Sequence, residues 1–201
     1  MLRTKSLAAL LMGTALVSIP AFCQEGAPEN RSEASVQFMG AYLRDSTKND
    51  IRNTATDSGG VLAGYRYFFT KHHGAEVNYA YTRNTLSYDF GRGPIGTGVD
   101  QHEASGSYIF RYPMRRFTPY AQAGAGALVF EPRDNFIGDK QTRAAFIYGG
   151  GVDLNITKHL FARVGYRGLV FKSPTFGLDA FNKIDRVTHQ AEPTAGLGWR
   201  F

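Results

Sequence analysis

From residue 35 to the C terminus the chain breaks into short runs in which apolar and polar residues alternate with a period of two. That period belongs to strands whose two faces meet different surroundings. The pattern predicts eight strands, over 35–43, 59–68, 75–83, 101–111, 118–130, 145–155, 160–170 and 189–201. Each reaches the nine to eleven residues that a tilted strand needs to cross a bilayer. Their connections alternate in kind. Residues 69–74 (FTKHHG), 112–117 (YPMRRF) and 156–159 (ITKH) read as tight turns, whereas 44–58, 84–100, 131–144 and 171–188 are long and polar. Four loops therefore fall at one end, and three turns with both termini at the other.

Short turns on one side and long loops on the other characterise outer-membrane barrels, and the faces sort accordingly. One parity holds Val61, Ala63, Tyr65 and Tyr67, then Ala75, Val77, Tyr79 and Tyr81, Ala104, Gly106, Tyr108 and Phe110, Ala162, Val164 and Tyr166, and Ala195, Leu197, Trp199 and Phe201. The other holds Arg66, Glu76, Glu103, Arg111, Asp153, Arg163, Arg167 and Glu192, together with Asn78, Ser105, Ser107 and Arg200. Within the strand cores no charge lies on the apolar face; Arg83 shares its parity but falls at the loop rim. An Arg or Lys facing lipid at the bilayer midplane costs about 2–4 kcal/mol, so a lipid-facing wall imposes this rule. A soluble barrel with the apolar face inward is the competing arrangement. Against it, five Arg meet three Glu and one Asp on the charged face, and the apolar face is built from Ala, Gly, Val and Tyr rather than bulky Leu and Ile. Aromatics also gather at strand ends: Tyr67, Phe69, Phe110, Tyr112, Phe117, Trp199 and Phe201 toward the turns, and Tyr42, Tyr81, Phe130 and Phe146 toward the loops. Two such girdles mark a membrane barrel. The predicted fold is all-β, an eight-stranded antiparallel up-and-down transmembrane β-barrel, its ionic groups forming a lumen network.

Composition narrows the picture. Apolar residues are 43% and charged residues 20% of the 201-residue chain, with 23 Gly, 11 Tyr and 15 Phe. That excludes a disordered chain and a helix bundle. The net charge of +6 includes Arg3 and Lys5, so the chain without them stands at +4. No basic cluster is dense enough to imply nucleic acid. The single Cys23 excludes an internal disulfide framework and a cysteine-based zinc site.

Residues 1–23 combine a basic start, an apolar run from Leu7 to Val17 and a small-residue stretch, the layout of a secretory signal peptide. Cleavage is expected near Cys23-Gln24; Phe22 before the cysteine argues against a lipoprotein signal. A short periplasmic segment, 24–34, should lead into the barrel, 35–201. No later segment has the roughly 18 apolar residues of a membrane helix.

Thr118-Pro119-Tyr120 followed by Gly124 and Gly126, the run Gly149 to Asp153, the run Ala162 to Arg167, and the terminal Glu192 to Phe201 carry a resemblance. The chain resembles the small outer-membrane β-barrel family that includes the OmpA transmembrane domain, OmpX and the opacity proteins. The resemblance implies residence in the bacterial outer membrane and insertion by the barrel assembly machinery, the BAM complex. It implies a C-terminal assembly signal at Leu197, Trp199 and Phe201, with Pro193 and Ala195 at the same spacing. Two features depart from the pattern. Met39 and Leu43 put apolar side chains on the lumen face of the first strand, and Pro193 removes a ladder hydrogen bond, which usually marks an edge or a bulge. Cell-wall anchoring is not expected, since no peptidoglycan-binding domain follows Phe201.

An eight-stranded interior is only wide enough for side chains to fill it. The lumen charges are therefore expected to satisfy one another in a closed network, with a small passive pore as the alternative. Function then falls to the loops. Their mixed charges (Arg44, Asp45, Lys48, Asp50 and Arg52; Arg133, Asp134, Asp139 and Lys140) are candidate contacts for an unidentified extracellular ligand, and the apolar Phe176, Leu178 and Phe181 form either a partner-binding patch or a segment folded back on the barrel rim. Outer-membrane lipids, including lipopolysaccharide, are the other expected partners. An enzyme needs a nucleophile and base in hydrogen-bond reach. His102 and Ser105 have opposite parity, His189 has only Ala191 two residues on, and His72, His73 and His159 lie in turns without an acid or serine partner nearby. No catalytic residue, metal or cofactor is expected, and a lipid-modifying enzyme is the least favoured reading.

Overall fold

The computed structural model describes residues 30–43, 46–48, 51–55, 58–89, 94–133, 140–172 and 187–201. The expected signal segment with Cys23, and Phe176, Leu178 and Phe181 in the last loop, lie outside them. Eight long antiparallel strands form the wall: β1 (Ser32–Leu43), β4 (Ser58–Phe68), β5 (His73–Asp89), β6 (Pro94–Arg111), β7 (Phe117–Pro132), β8 (Gln141–Asn155), β9 (Leu160–Lys172) and β10 (Val187–Arg200). Each pairs with its sequence neighbour, β10 returns to β1 and β5–β6 pairing completes the ring. The fold is thus a closed eight-stranded barrel, and closure leaves no edge with unpaired backbone groups in lipid.

Two differences from the sequence pattern concern the loop end. The segment 44–58 contains a small hairpin, β2 (Ser46–Lys48) and β3 (Ile51–Ala55). The segment 84–100 is mostly ladder: β5 and β6 stay paired from His73↔Phe110 out to Asp89↔Pro94, and β3 joins through Asn53↔Tyr88 to Ala55↔Leu86. Beyond the bilayer both faces of a strand meet water, so the alternation that reveals the membrane-spanning part fades although the backbone pairing continues.

Pro193 sits inside the sheet without a bulge. The β1–β10 register runs from Glu33↔Arg200 to Met39↔Thr194, skips Gly40 and Ala41, and resumes unchanged at Tyr42↔Ala191. The ladder on the other side is continuous through Pro193↔Tyr166. The missing N–H therefore opens a local gap toward β1 and leaves the register intact.

The wall sorts side chains as the alternation requires. On β1, Val36 and Phe38 are 60% and 75% exposed outward while Glu33 and Gln37 are 1% and 3% exposed inward. Met39 is buried in the lumen with Leu62 and Ala80, which fixes the facing of the first strand; the Leu43 side chain is outside the described set. Glycine makes room where the lumen needs it. A Cβ on Gly165 or Gly151 would stand 2.6 or 2.8 Å from the Tyr120 hydroxyl, so these two strands are bare where the Tyr120 ring enters.

Candidate functional site

The turn half of the lumen holds an ionic cluster assembled by strand register. Arg66 and Glu76 are opposite each other on β4 and β5, as are Asp153 and Arg163 on β8 and β9; cross-strand neighbours of this kind meet on one face. Arg66 Nε donates to Glu76 Oε1 at 2.7 Å, and Arg163 donates to both Asp153 oxygens at 2.6 and 2.8 Å. The hub is Glu33, which accepts from Arg111 (2.7 Å), Arg163 (3.0 Å) and Arg200 (2.8 Å). Ring faces cover the guanidinium groups: Arg66 lies 4.1 Å from the Tyr120 centroid and Arg111 3.3 Å from that of Phe68. Farther along the axis Arg167 donates to Glu192 at 3.0 Å and to Glu103, and Gln190 donates to Glu192 at 2.7 Å.

All eight expected lumen charges are therefore buried in two clusters: Arg66, Glu76, Arg111, Asp153 and Arg163 in one, Glu103, Arg167 and Glu192 in the other. Sequence reasoning missed Glu33, assigned to the polar leader, and left Arg200 out of the network. The available signal was the parity of β1 carried two residues further back, Glu33 with Ser35 and Gln37. With both included, Arg66, Arg111, Arg163, Arg167 and Arg200 face Glu33, Glu76, Glu103, Asp153 and Glu192, five charges against five. Neutrality matters because an uncompensated buried charge costs several kcal/mol.

The loop half of the lumen carries an apolar cluster beside the buried Thr82, Gln101 and Gln190, which the sequence reading did not foresee. Val99, Leu128, Phe130, Ala145, Ile147, Leu169 and Phe171 form one buried cluster, with Phe130 and Phe171 rings 5.9 Å apart. Phe130 is thus a lumen residue and not part of the outer girdle, because it shares the inward face of β7 with Thr118 and Gln122. Each buried Leu, Ile or Phe in such a plug contributes roughly 1.5–3 kcal/mol.

Outside, the girdles stand at both rims, with Tyr67, Phe69, Phe110, Tyr112, Phe117, Trp199 and Phe201 exposed near the turns and Tyr42 and Phe146 near the loops. The histidines belong to these girdles. His102 Nδ1 lies 2.7 Å from the Tyr79 hydroxyl, His189 Nε2 lies 2.8 Å from that of Tyr148, and His73 contacts that of Tyr108. His102 faces outward while Ser105 is buried inside, so the two do not meet. Beyond the loop-side girdle, Asp100 accepts hydrogen bonds from Arg83 (3.2 Å), Arg133 (3.1 Å) and Tyr81 (3.0 Å). Burial pushes the Asp100 carboxyl up, but the bonds from Arg133, Tyr81 and Arg83 outweigh it and hold the group below the usual aspartate range. Next to this cluster, Lys140 donates to Glu131. The residues of the expected assembly signal, Leu197, Trp199 and Phe201, are all exposed on the outer wall.

A family model described as "Outer membrane protein beta-barrel domain" matches residues 8–201. Solved structures with this fold include the outer membrane protein OprG from Pseudomonas aeruginosa, at 14% identity and TM-score 0.65, covering 88% of this chain and 98% of that one. Neisserial surface protein A, NspA, aligns at 17% identity and TM-score 0.58, covering 85% and 97%. Ail, the attachment invasion locus protein of Yersinia pestis, aligns at 18% identity and TM-score 0.55, covering 87% and 100%. No curated protein sequence matches the chain. At these identities the solved structures establish the fold alone, while the family model spans nearly the whole chain. The closed barrel, its outward apolar wall and this match together make the chain a member of the outer-membrane β-barrel domain family, resident in the bacterial outer membrane.

Proposed function

We propose that this barrel is a closed scaffold whose external loops make surface contacts, in an adhesion-like or structural role, and whose lumen does not conduct. The observation that carries the reading is the double seal: the apolar cluster around Leu128, Ile147 and Leu169 toward the loops, and the ion pairs around Glu33 and Arg167, which balance only when the two clusters are counted together. Ail, designated an attachment invasion locus protein, shares this fold. Lipopolysaccharide at the loop-side girdle and an extracellular ligand at the loops are the partners this reading implies. Insertion by the BAM complex through Leu197, Trp199 and Phe201 accounts for the route into the membrane. No catalytic role or cofactor is assigned, since His102 and His189 are engaged with tyrosines on the outer wall.

A second reading, a passive pore, has one observation in its favour. The Ser105 and Ser107 hydroxyls, Glu76 Oε2 and Glu103 Oε2 are buried polar atoms of the β5–β6 wall without a hydrogen-bond partner among the described residues, and polar atoms of this kind suit a hydrated path. Planar-bilayer recordings separate the two. The closed scaffold gives no steady conductance steps from purified protein, and reproducible open-channel steps would establish the pore.

A further inference from the structure

The cations of the two rims are treated differently. On the loop side Arg83 and Arg133 are tied to Asp100 and Lys140 to Glu131. On the turn side Arg31, Lys71, Arg115, Arg116 and Lys158 are exposed, and their side chains have no hydrogen-bond or ion-pair partner among the described residues. The three turns 69–74, 112–117 and 156–159 contain no Asp or Glu.

Two of these turns repeat the tripeptide Thr-Lys-His and are built alike. Thr70 Oγ1 accepts the N–H groups of His72 (3.3 Å) and His73 (3.1 Å), and Thr157 Oγ1 accepts those of His159 (3.2 Å) and Leu160 (2.9 Å). Threonine hydroxyls stabilise turns in this way, and here they place Lys71 and Lys158 at the tips. The His72 and His159 Nδ1 atoms each lie 3.0 Å from a carbonyl at a strand end, Arg111 O and Arg200 O. A carbonyl only accepts, so Nδ1 carries the proton and Nε2 is left for another partner. His72 stacks on Tyr112 at 5.7 Å and His159 on Trp199 at 5.6 Å, which sets both rings at the level of the girdle.

Beside the second of these turns the outer wall is indented. A groove of about 910 Å³ lies between Trp199 and Tyr65 at the turn end and Phe38 and Tyr79 nearer mid-wall, with Ala34 and Ala63 among its lining. Lys158, His159 and Arg31 flank its turn end without lining it: His159 stacks on the lining residue Trp199, Arg200 N bonds His159 O (2.8 Å), and Phe201 N bonds the O of Ser32, the residue after Arg31 (2.9 Å). We propose that the turn-side rim binds anionic phospholipid of the periplasmic leaflet, with a phosphodiester at Lys158, His159 and Arg31 and an acyl chain in the groove. The groove opens on the hydrocarbon, so an acyl chain is what reaches it. Cations on all three turns encircle the barrel, as a lipid annulus requires, whereas a docked macromolecule would need them on one sector. Each exposed cation near an anionic surface favours it by about fivefold.

Trp199 is the chain's single tryptophan and lines the groove, so its fluorescence reads the site. The full chain is refolded into mixed vesicles of phosphatidylglycerol and phosphatidylcholine, with bromine on the acyl chains of one lipid or the other. Brominated phosphatidylglycerol should show about three- to tenfold greater relative association by Trp199 quenching. The preference should fall toward one in Arg31→Gln/Lys158→Gln. It should also fall in the unaltered protein near 1 M salt, where screening acts within about 3 Å. Equal quenching by the two lipids, or a preference that survives both salt and the double substitution, overturns the proposal. Displacement of brominated phosphatidylglycerol by soluble anionic cell-wall fragments also overturns it, by assigning the rim to a polymer. A heat-dependent gel shift verifies that the double variant is folded, and the salt comparison needs no variant.

Discussion

At the scale of single residues, Glu33 is the most consequential side chain in the lumen. It serves three arginines at once and is 1% exposed. Glu33→Gln leaves those guanidinium groups without their shared anion, and removing one partner of a buried pair costs about 3–5 kcal/mol. Urea unfolding in detergent should show a loss of that order, partly restored when Arg200→Gln is added. Restoration would show that the surplus charge, rather than lost packing, is responsible. Asp100 gives a pH effect at the opposite end. Its carboxyl is held below the usual range by Arg133, Tyr81 and Arg83 against the upward push of burial, so its folded form favours the charged state. The stabilisation is then full above the ordinary aspartate range and disappears as pH falls through the depressed value. Hydrogen exchange at the Arg83↔Asp100 pair should accelerate as pH falls through that window beyond the intrinsic change, and Asp100→Asn should remove the pH dependence.

At the scale of elements, strands whose two faces meet lipid and lumen were legible and those whose faces both meet water were not. β9 was expected over 160–170 and spans Leu160–Lys172, while β5 was expected over 75–83 and runs on to Asp89. The backbone pairs Asn84↔Val99 to Asp89↔Pro94 should exchange their amide hydrogens more slowly than an irregular loop would, and exchange at random-coil rates throughout that stretch would contradict the extended hairpin. The last strand, β10, allows a separate test. Its outward Leu197, Trp199 and Phe201 end a wall that any membrane barrel needs, so their exposure alone does not single out a recognition role. Phe201→Ala removes one interfacial side chain, with little effect expected on the stability of protein refolded in detergent. If the assembly machinery reads this residue, the fraction inserted in cells should drop severalfold while refolding in detergent stays intact. Equal losses in both would mean that Phe201 acts through stability.

At the scale of the molecule, the oily wall faces outward and the ionic groups hide within. The protein should therefore need detergent or lipid to stay dispersed, and unboiled samples should migrate differently from boiled ones on a denaturing gel. An unchanged band would contradict the membrane barrel. What the sequence determined by itself was the wall: the number and order of its strands and the inward placement of eight of its charges, because alternation, loop length and the cost of a charge in lipid are local or one-dimensional constraints. What only the tertiary structure decided was the filling. Leu128, Phe130, Ile147, Leu169 and Phe171 share the inward parity with the arginines, and parity cannot say whether an inward residue meets an ion or another apolar side chain. That depends on stagger between strands far apart in sequence, which brings Glu33 to Arg111 and Arg163 across the lumen. Ring closure sets that stagger, and so the segregation of the ion pairs from the apolar cluster emerges only when the barrel is closed.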